Sequence, residues 1–187
     1  MTLLHKSNYG TLRNFTVLVV EDYGFMADLI SSMLREFGIG KILIAENGED
    51  AKDLIRFNAS GSSDTKPMDI VLTDWLMPEV SGVELLKWIR SSEKDNIRFL
   101  PVVLLSAYTS EKVVSVARDN GANEAIVKPV SGKMLADRIL HIVNHPRAFV
   151  KTPDFFGPDR RRKDKVYESE DRRKLTSQDV KTHNEQL

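Results

Sequence analysis

Four stretches of this chain end a buried-looking apolar run in a group that can do chemistry. Val17-Leu18-Val19-Val20 runs into Glu21-Asp22, and Ile70-Val71-Leu72-Thr73 runs into Asp74. Val102-Val103-Leu104-Leu105 runs into Ser106, and Glu124-Ala125-Ile126-Val127 runs into Lys128. Charge at the end of a buried strand is costly unless it is paired, hydrated or bound to a metal. If the runs are parallel neighbours, their ends meet at one carboxyl edge, where open α/β sheets bind ligands. Glu21, Asp22 and Asp74 gathered there would repel one another and raise some of their pKa values. A hard divalent cation removes that penalty, and Mg²⁺ suits carboxylates, waters and a phosphoryl oxygen. An aspartate carboxylate such as Asp74 is a competent nucleophile in phosphoryl transfer. Lys128 and the Ser106 hydroxyl can then meet the phosphoryl oxygens.

Each group alone has an ordinary reading. Glu21-Asp22 suits a solvated turn or helix cap, Ser106 a turn, Asp74 an N-cap, and Lys128 a plain strand end. Their joint occurrence is what argues for a site. His5, His141, His145 and His183 show no metal-ligand pattern and read as surface residues, while Trp75 and Trp88 read as packing.

The elements that must position these groups alternate along the chain. Strands are expected at Thr16–Val20, Lys41–Ala45, in the Met68–Asp74 run, at Val102–Leu105 and at Ala125–Val127. Between them lie helical patterns, such as Phe25, Met26, Leu29, Ile30, Met33, Leu34 and Phe37 before Gly38. Val83, Leu85, Leu86 and Ile89 form a second such pattern, and a weaker helix runs from about Glu111 to Asn120. Residues 59–66 read as a polar loop. Five strands alternating with five helices imply a parallel sheet with right-handed crossovers.

The 187-residue chain carries no net charge, yet its parts differ. Residues 1–146 hold 16 basic and 19 acidic residues (16 − 19 = −3), and residues 147–187 hold 11 and 8 (11 − 8 = +3). The second part has little apolar periodicity, so a largely disordered tail is expected there. The absence of cysteine excludes disulfides and thiolate chemistry. No 18-residue apolar stretch supports a membrane span, and no secretory segment opens the chain, so a cytoplasmic protein is expected.

Over residues 15–146 the chain resembles the receiver domain of two-component response regulators. The resemblance rests on Glu21-Asp22, Asp74 with Met77-Pro78 and Gly82, Ser106-Ala107, and Lys128-Pro129, in order at successive strand ends. It implies a flavodoxin-like (βα)5 fold with strand order 2-1-3-4-5. It also implies Mg²⁺ at Glu21, Asp22 and Asp74, and phosphorylation of Asp74 by a histidine kinase or phosphotransfer protein. Signalling to a downstream target protein would follow. Residues 1–14 would then be an N-terminal extension, and residues 147–187 are too short and polar for a DNA-binding module.

Three positions depart from the family pattern. Leu76, two after Asp74, offers no polar group to orient a hydrolytic water; Tyr108 is bulky beside Ser106; and Ala125 stands where many receivers carry an aromatic switch residue. Output is then expected through backbone and loop shifts around the helix after strand four, or through another element.

The stretch Gly157-Pro158-Asp159-Arg160-Arg161-Arg162-Lys163-Asp164 is similar to the arginine-rich extension of receiver-like cyclic di-GMP effectors. Arg160, Arg161 and Arg162 can fork onto phosphate or guanine and stack on a base, with Asp159 accepting from a guanine edge. A solvated tail is the plain alternative, and the interspersed acids argue against simple DNA binding. The leading expectation is a phosphoacceptor module without its own output domain. A receiver-like adaptor binding cyclic di-GMP is second. A phosphatase-type enzyme is disfavoured, because Leu76 occupies the place where a second acid would be needed.

Overall fold

Parallel pairing of five short apolar strands builds the centre of the molecule. The computed structural model describes residues 7–61, 66–107, 111–160 and 181–183. The strands are β1 (Thr16–Val20), β2 (Lys41–Ala45), β3 (Ile70–Asp74), β4 (Val102–Ser106) and β5 (Glu124–Val127), in the order β2-β1-β3-β4-β5. β1 and β4 are buried along their whole length, as strands covered on both faces must be. The helices are α1 (Gly24–Glu36), α2 (Gly48–Ala59), α3 (Gly82–Ser91), the single turn α4 (Asp95–Arg98), α5 (Glu111–Asp119) and α6 (Gly132–Asn144).

Alternation along the strands divides the core into two layers. Leu18, Val71 and Leu104 face one layer with Ala51 and Ile55 of α2 and Leu85, Leu86 and Ile89 of α3. Val17, Val19, Leu72, Val103 and Ile126 face the other, against Ile30 and Leu34 of α1 and Leu135 and Ile139 of α6. Helix starts are fixed by side chains that accept otherwise orphaned N–H groups. Asn47 caps α2 and Ser131 caps α6, while Ser81 and Glu84 form a reciprocal capping box on α3.

The structure corrects both ends of the expected domain. Residues 7–14, read as an extension, form a 3-10 helix whose Leu12 is fully buried in the second core layer. Part of the segment from residue 147, expected as a disordered tail, is ordered. β6 (Phe149–Thr152) and β7 (Phe155–Pro158) form an antiparallel hairpin, and β8 (Lys181–His183) pairs with the other edge of β6. Phe149 and Phe156 meet Phe99 edge-on, with ring centroids 4.8 and 5.3 Å away. Arg98 lies 5.0 Å over the Phe156 ring. Phe149 and Phe156 in a polar stretch give no periodic signal, because their partner Phe99 lies some fifty residues upstream.

Beneath the hairpin lies Arg90, buried at 7% exposure and, among the described residues, without a carboxylate partner. Its Nε donates to the Gly121 carbonyl at 2.9 Å, Nη1 to the carbonyls of Arg98 and Leu100, and Nη2 to Asn123 Oδ1. Phe149 covers it at 5.1 Å, and burial pulls its pKa down to about 9. These groups precede β4 and β5, so the hairpin closes the amino edge of the sheet, opposite Asp74. Gly121, at φ +88°, admits the hairpin closely: a Cβ there would stand 2.8 Å from the Phe156 carbonyl oxygen.

Phe149→Ala should therefore destabilise the full chain by about 3 kcal/mol, the usual cost of emptying a buried phenylalanine site. Urea unfolding measures it, and a loss below about 1 kcal/mol would show that the hairpin is not docked in solution.

Candidate functional site

Register places the chemical groups together. Val20 is the partner of Thr73, Asp74 of Leu105, and Ser106 of Val127, so four strands end side by side. Backbone bonds continue the ladder past those ends. Glu21 N–H donates to Ala45 O at 3.1 Å, Trp75 N–H to Leu105 O at 2.7 Å, and Lys128 N–H to Ser106 O at 2.7 Å. The acid pair, Asp74, Ser106 and Lys128 are thus fixed by the sheet itself, as expected.

Glu21, Asp22 and Asp74 each present a carboxylate oxygen within 4.8 Å of the others. Lys128 Nζ stands between two of them, 2.8 Å from Glu21 Oε2 and 3.1 Å from Asp74 Oδ1. Glu21 is almost fully buried, and burial pushes its carboxyl above the ordinary range against the opposing hydrogen bond from Lys128. For Lys128, burial pulls the pKa down, but the hydrogen bonds and charges of Glu21 and Asp74 outweigh it and hold the ammonium above its ordinary value. Asp74 Oδ1 accepts from both Lys128 and its neighbour's N–H, Trp75 N at 2.8 Å.

The cluster fits a divalent cation on charge as well as spacing. Three carboxylates against one ammonium leave two negative charges when all are ionised. The ligand set is all oxygen, which suits Mg²⁺. Ser106 sits buried at the end of β4.

Sequence reasoning assigned Lys128 to a phosphate and Glu21 to a metal, and it missed that the two pair directly. It also missed how β3 is held. The Thr73 hydroxyl donates to the Asp74 carbonyl at 3.1 Å, and Gly82 N–H donates to Trp75 O at 3.1 Å. A Cβ on Gly82 would fall 1.9 Å from the Asp74 carbonyl oxygen, so only glycine lets α3 start against the end of β3. The Gly82 signal was in the sequence; its cause was not.

Close in sequence to the acids, Tyr23, Phe25 and Leu76 are 62%, 66% and 54% exposed, and the rings of Tyr23 and Phe25 lie 6.1 Å apart. Trp75 and Trp88 pack against the core, as expected. His141 and His145 lie exposed on α6 and just beyond it, their rings stacked at 4.8 Å. Tyr108 lies outside the described residues, as do Arg161 and Arg162. Asp159 and Arg160 follow β7, on the far edge from Asp74. Asp159 N–H donates to the Ala148 carbonyl, and Arg160 is paired with Asp119 at 2.9 Å and lies 4.6 Å over the Phe155 ring.

Comparison with known proteins agrees with this geometry. The chain belongs to the response regulator receiver domain family, whose signature matches residues 17–140. It is 29% identical over 127 residues to the chemotaxis protein CheY-3 of Vibrio cholerae, covering 68% of this chain and 90% of that protein. It is 32% identical over 123 residues to a CheY homolog of Campylobacter jejuni, covering 66% and 88%. Among solved structures, the receiver domain of Francisella response regulator 1452 matches with a TM-score of 0.56 at 30% identity, over 66% of this chain and 92% of that one. A chain of the CheX–CheY–BeF3–Mg²⁺ complex from Borrelia burgdorferi matches with a TM-score of 0.59 at 26% identity, over 68% and 88%. Receiver domains of this kind are phosphoacceptor signalling modules. No helix among the described residues is long and apolar enough to cross a membrane.

Gly82→Ala should cost about 1–3 kcal/mol, as overpacked sites do, because the added methyl must displace the Asp74 carbonyl. In a Trp88→Phe background Trp75 is the sole tryptophan, so its emission reports the same displacement. Unchanged stability and emission would show that α3 and β3 approach less closely than described.

Proposed function

We propose that Asp74 accepts a phosphoryl group from the phosphohistidine of a histidine kinase or phosphotransfer protein, in the cytoplasm. Signal then leaves by protein–protein contact with a downstream target. The observation that carries this reading is the juxtaposition of Glu21, Asp22, Asp74 and Lys128 at one strand edge. Oδ2 of Asp74 is the attacking atom, since Oδ1 already accepts from Lys128 and Trp75 N–H. It forms the new P–O bond as the P–N bond of the donor breaks, and the histidine nitrogen leaves with the electron pair.

Glu21, Asp22 and Asp74 are the residues to hold Mg²⁺, which supplies neutralisation of phosphoryl charge when bound. Lys128, between Glu21 and Asp74, is placed to pair with a phosphoryl oxygen once it turns from Glu21. Ser106 supplies a hydroxyl from the neighbouring strand end. Tyr23, Phe25 and Leu76, exposed and close in sequence to the acids, give a protein donor apolar surface to meet. Leu76 places no polar side chain there to orient a hydrolytic water, which favours a long-lived phosphoryl state.

Incubation with a small phosphodonor and Mg²⁺ should add one phosphoryl mass to the chain, acid-labile in the manner of an acyl phosphate. Asp74→Ala should abolish it, and Asp22→Ala should weaken Mg²⁺ binding strongly by removing a charged ligand. Lys128→Ala should leave much of the Mg²⁺ binding but impair labelling. Undiminished labelling of Asp74→Ala would sink the assignment.

One observation favours a second reading, in which the chain is an adaptor for cyclic di-GMP. Arg160 already lies over Phe155 at a half-exposed position, pairing a cation with an aromatic face as base stacking requires. Asp159 lies beside it as an acceptor for a guanine edge. Calorimetric titration should then show heat with cyclic di-GMP and little with cyclic di-AMP, with the difference lost in Arg160→Ala. Equal heats for the two ligands, or none at micromolar protein, would leave Arg160 a structural partner of Asp119.

A further inference from the structure

α5 joins the two edges of the sheet, yet the core holds it thinly. It follows Ser106 at the carboxyl edge and ends at Asp119 on the amino edge, against the hairpin. From Val113 to Asp119 its one fully buried residue is Ala117, and Val114 is 40% exposed. By contrast, α3 buries Leu85, Leu86, Ile89 and Arg90. Beneath α5, β5 offers Ala125, a methyl group where a ring would grip or report the helix. A helix with so few apolar anchors belongs to the low-stability part of a fold, from which switching elements are drawn.

The far end of α5 is capped within the unit, by Gly121 N–H on the Arg118 carbonyl and Ala122 N–H on the Ala117 carbonyl, with Ser115 and Arg118 beside Asp119. One further polar contact reaches it from outside the (βα)5 unit. Asp119 puts negative charge at a helix C-terminus, where the macrodipole disfavours it. Arg160 answers that charge from the residues after β7, with Nη1 2.9 Å from Asp119 Oδ1. Arg160 is in turn held over Phe155, and one residue back Asp159 N–H closes the hairpin onto the Ala148 carbonyl. Next to this pair, the Phe156 carbonyl abuts Gly121, whose own carbonyl accepts from Arg90. Displacement of α5 along or away from the sheet therefore has to break or drag the Arg160–Asp119 pair. The other helices packed near the hairpin, α3 and α4, are anchored by Arg90 and by buried Ile89 and Ile97.

We propose that the C-terminal hairpin is the output element of this chain, moved by α5 through the Asp119–Arg160 pair when the Asp74 site is occupied. This rests on the reading of Asp74 as the phosphoacceptor. It gives the chain a route for its signal that needs no aromatic residue at position 125. It also ties Arg160 to the state of a carboxylate on the opposite edge of the sheet.

Hydrogen exchange read by mass spectrometry on the full chain tests the coupling, with and without Mg²⁺ plus beryllofluoride as the phosphoryl mimic. Labelling of Asp74 by a small phosphodonor is followed in parallel. On occupancy, the amides of Phe155–Gly157 and Asp159 should exchange roughly three-fold faster, within the range expected of losing one exposed ion pair. In Asp119→Asn those amides should exchange fast from the start and no longer respond, while Asp74 is labelled as in wild type. Asp119→Lys, which repels Arg160, should behave alike. Normal labelling with a silent hairpin in wild type would overturn the coupling, as would an undiminished response in Asp119→Asn. Absence of labelling would instead remove the Asp74 reading, and the coupling with it.

Discussion

Lys128 stands between two carboxylates whose burial would otherwise be untenable, and much of the molecule serves to keep it there. Glu21 has almost no solvent to stabilise its charge, so its pairing at 2.8 Å must be supplied by the fold. That requires β1 and β5, more than a hundred residues apart in sequence, to end at the same level. The parallel ladder β1-β3-β4-β5 meets the requirement, because each strand's last residue is locked to its neighbour's by backbone bonds. Asp22 adds a third carboxylate that Lys128 does not reach. The residual negative charge is what makes the edge suited to a cation and then to a phosphoryl group.

The two edges of the sheet handle buried charge in opposite ways. At the carboxyl edge, acids outnumber the single lysine and the imbalance is open to ligands. At the amino edge, Arg90 has no acid partner among the described residues; carbonyl oxygens, Asn123 and the face of Phe149 surround it. The first arrangement leaves its charge unbalanced, while the second is satisfied by hydrogen bonds. The hairpin is part of that second arrangement, which explains why a segment of mixed charge and few apolar residues docks on the domain.

This contrast also governs what could be read from the amino-acid sequence. The carboxyl edge was legible because each of its groups ends an apolar run, so period and position announced Glu21, Asp22, Asp74, Ser106 and Lys128 together. The five strands and the longer helices were legible for the same reason: each carries its own pattern. Leu12, Arg90, Phe149 and Phe156 were not, because each is defined by partners distant in sequence. An arginine at the end of a helix reads as solvated until Phe149 covers it. The single turn α4 is too short to show a period. Gly82 was noticed by its spacing from Asp74, but the 1.9 Å approach that demands glycine emerges only when α3 is laid against β3.

Ala125 links the two edges in a further way. A large ring at that position would fill the space between β5 and α5 and anchor the helix to the sheet. With alanine there, the one fully buried side chain among those described in α5 is that of Ala117, and methyl groups give little dispersion energy. A helix held that weakly by apolar contact is positioned by whatever polar groups remain at its ends. At one end is the connection from Ser106; at the other is Asp119, met by Arg160. Arg160, from beyond the receiver fold, is one such polar group, so the end of α5 and the hairpin are linked by a contact of charge rather than of apolar packing.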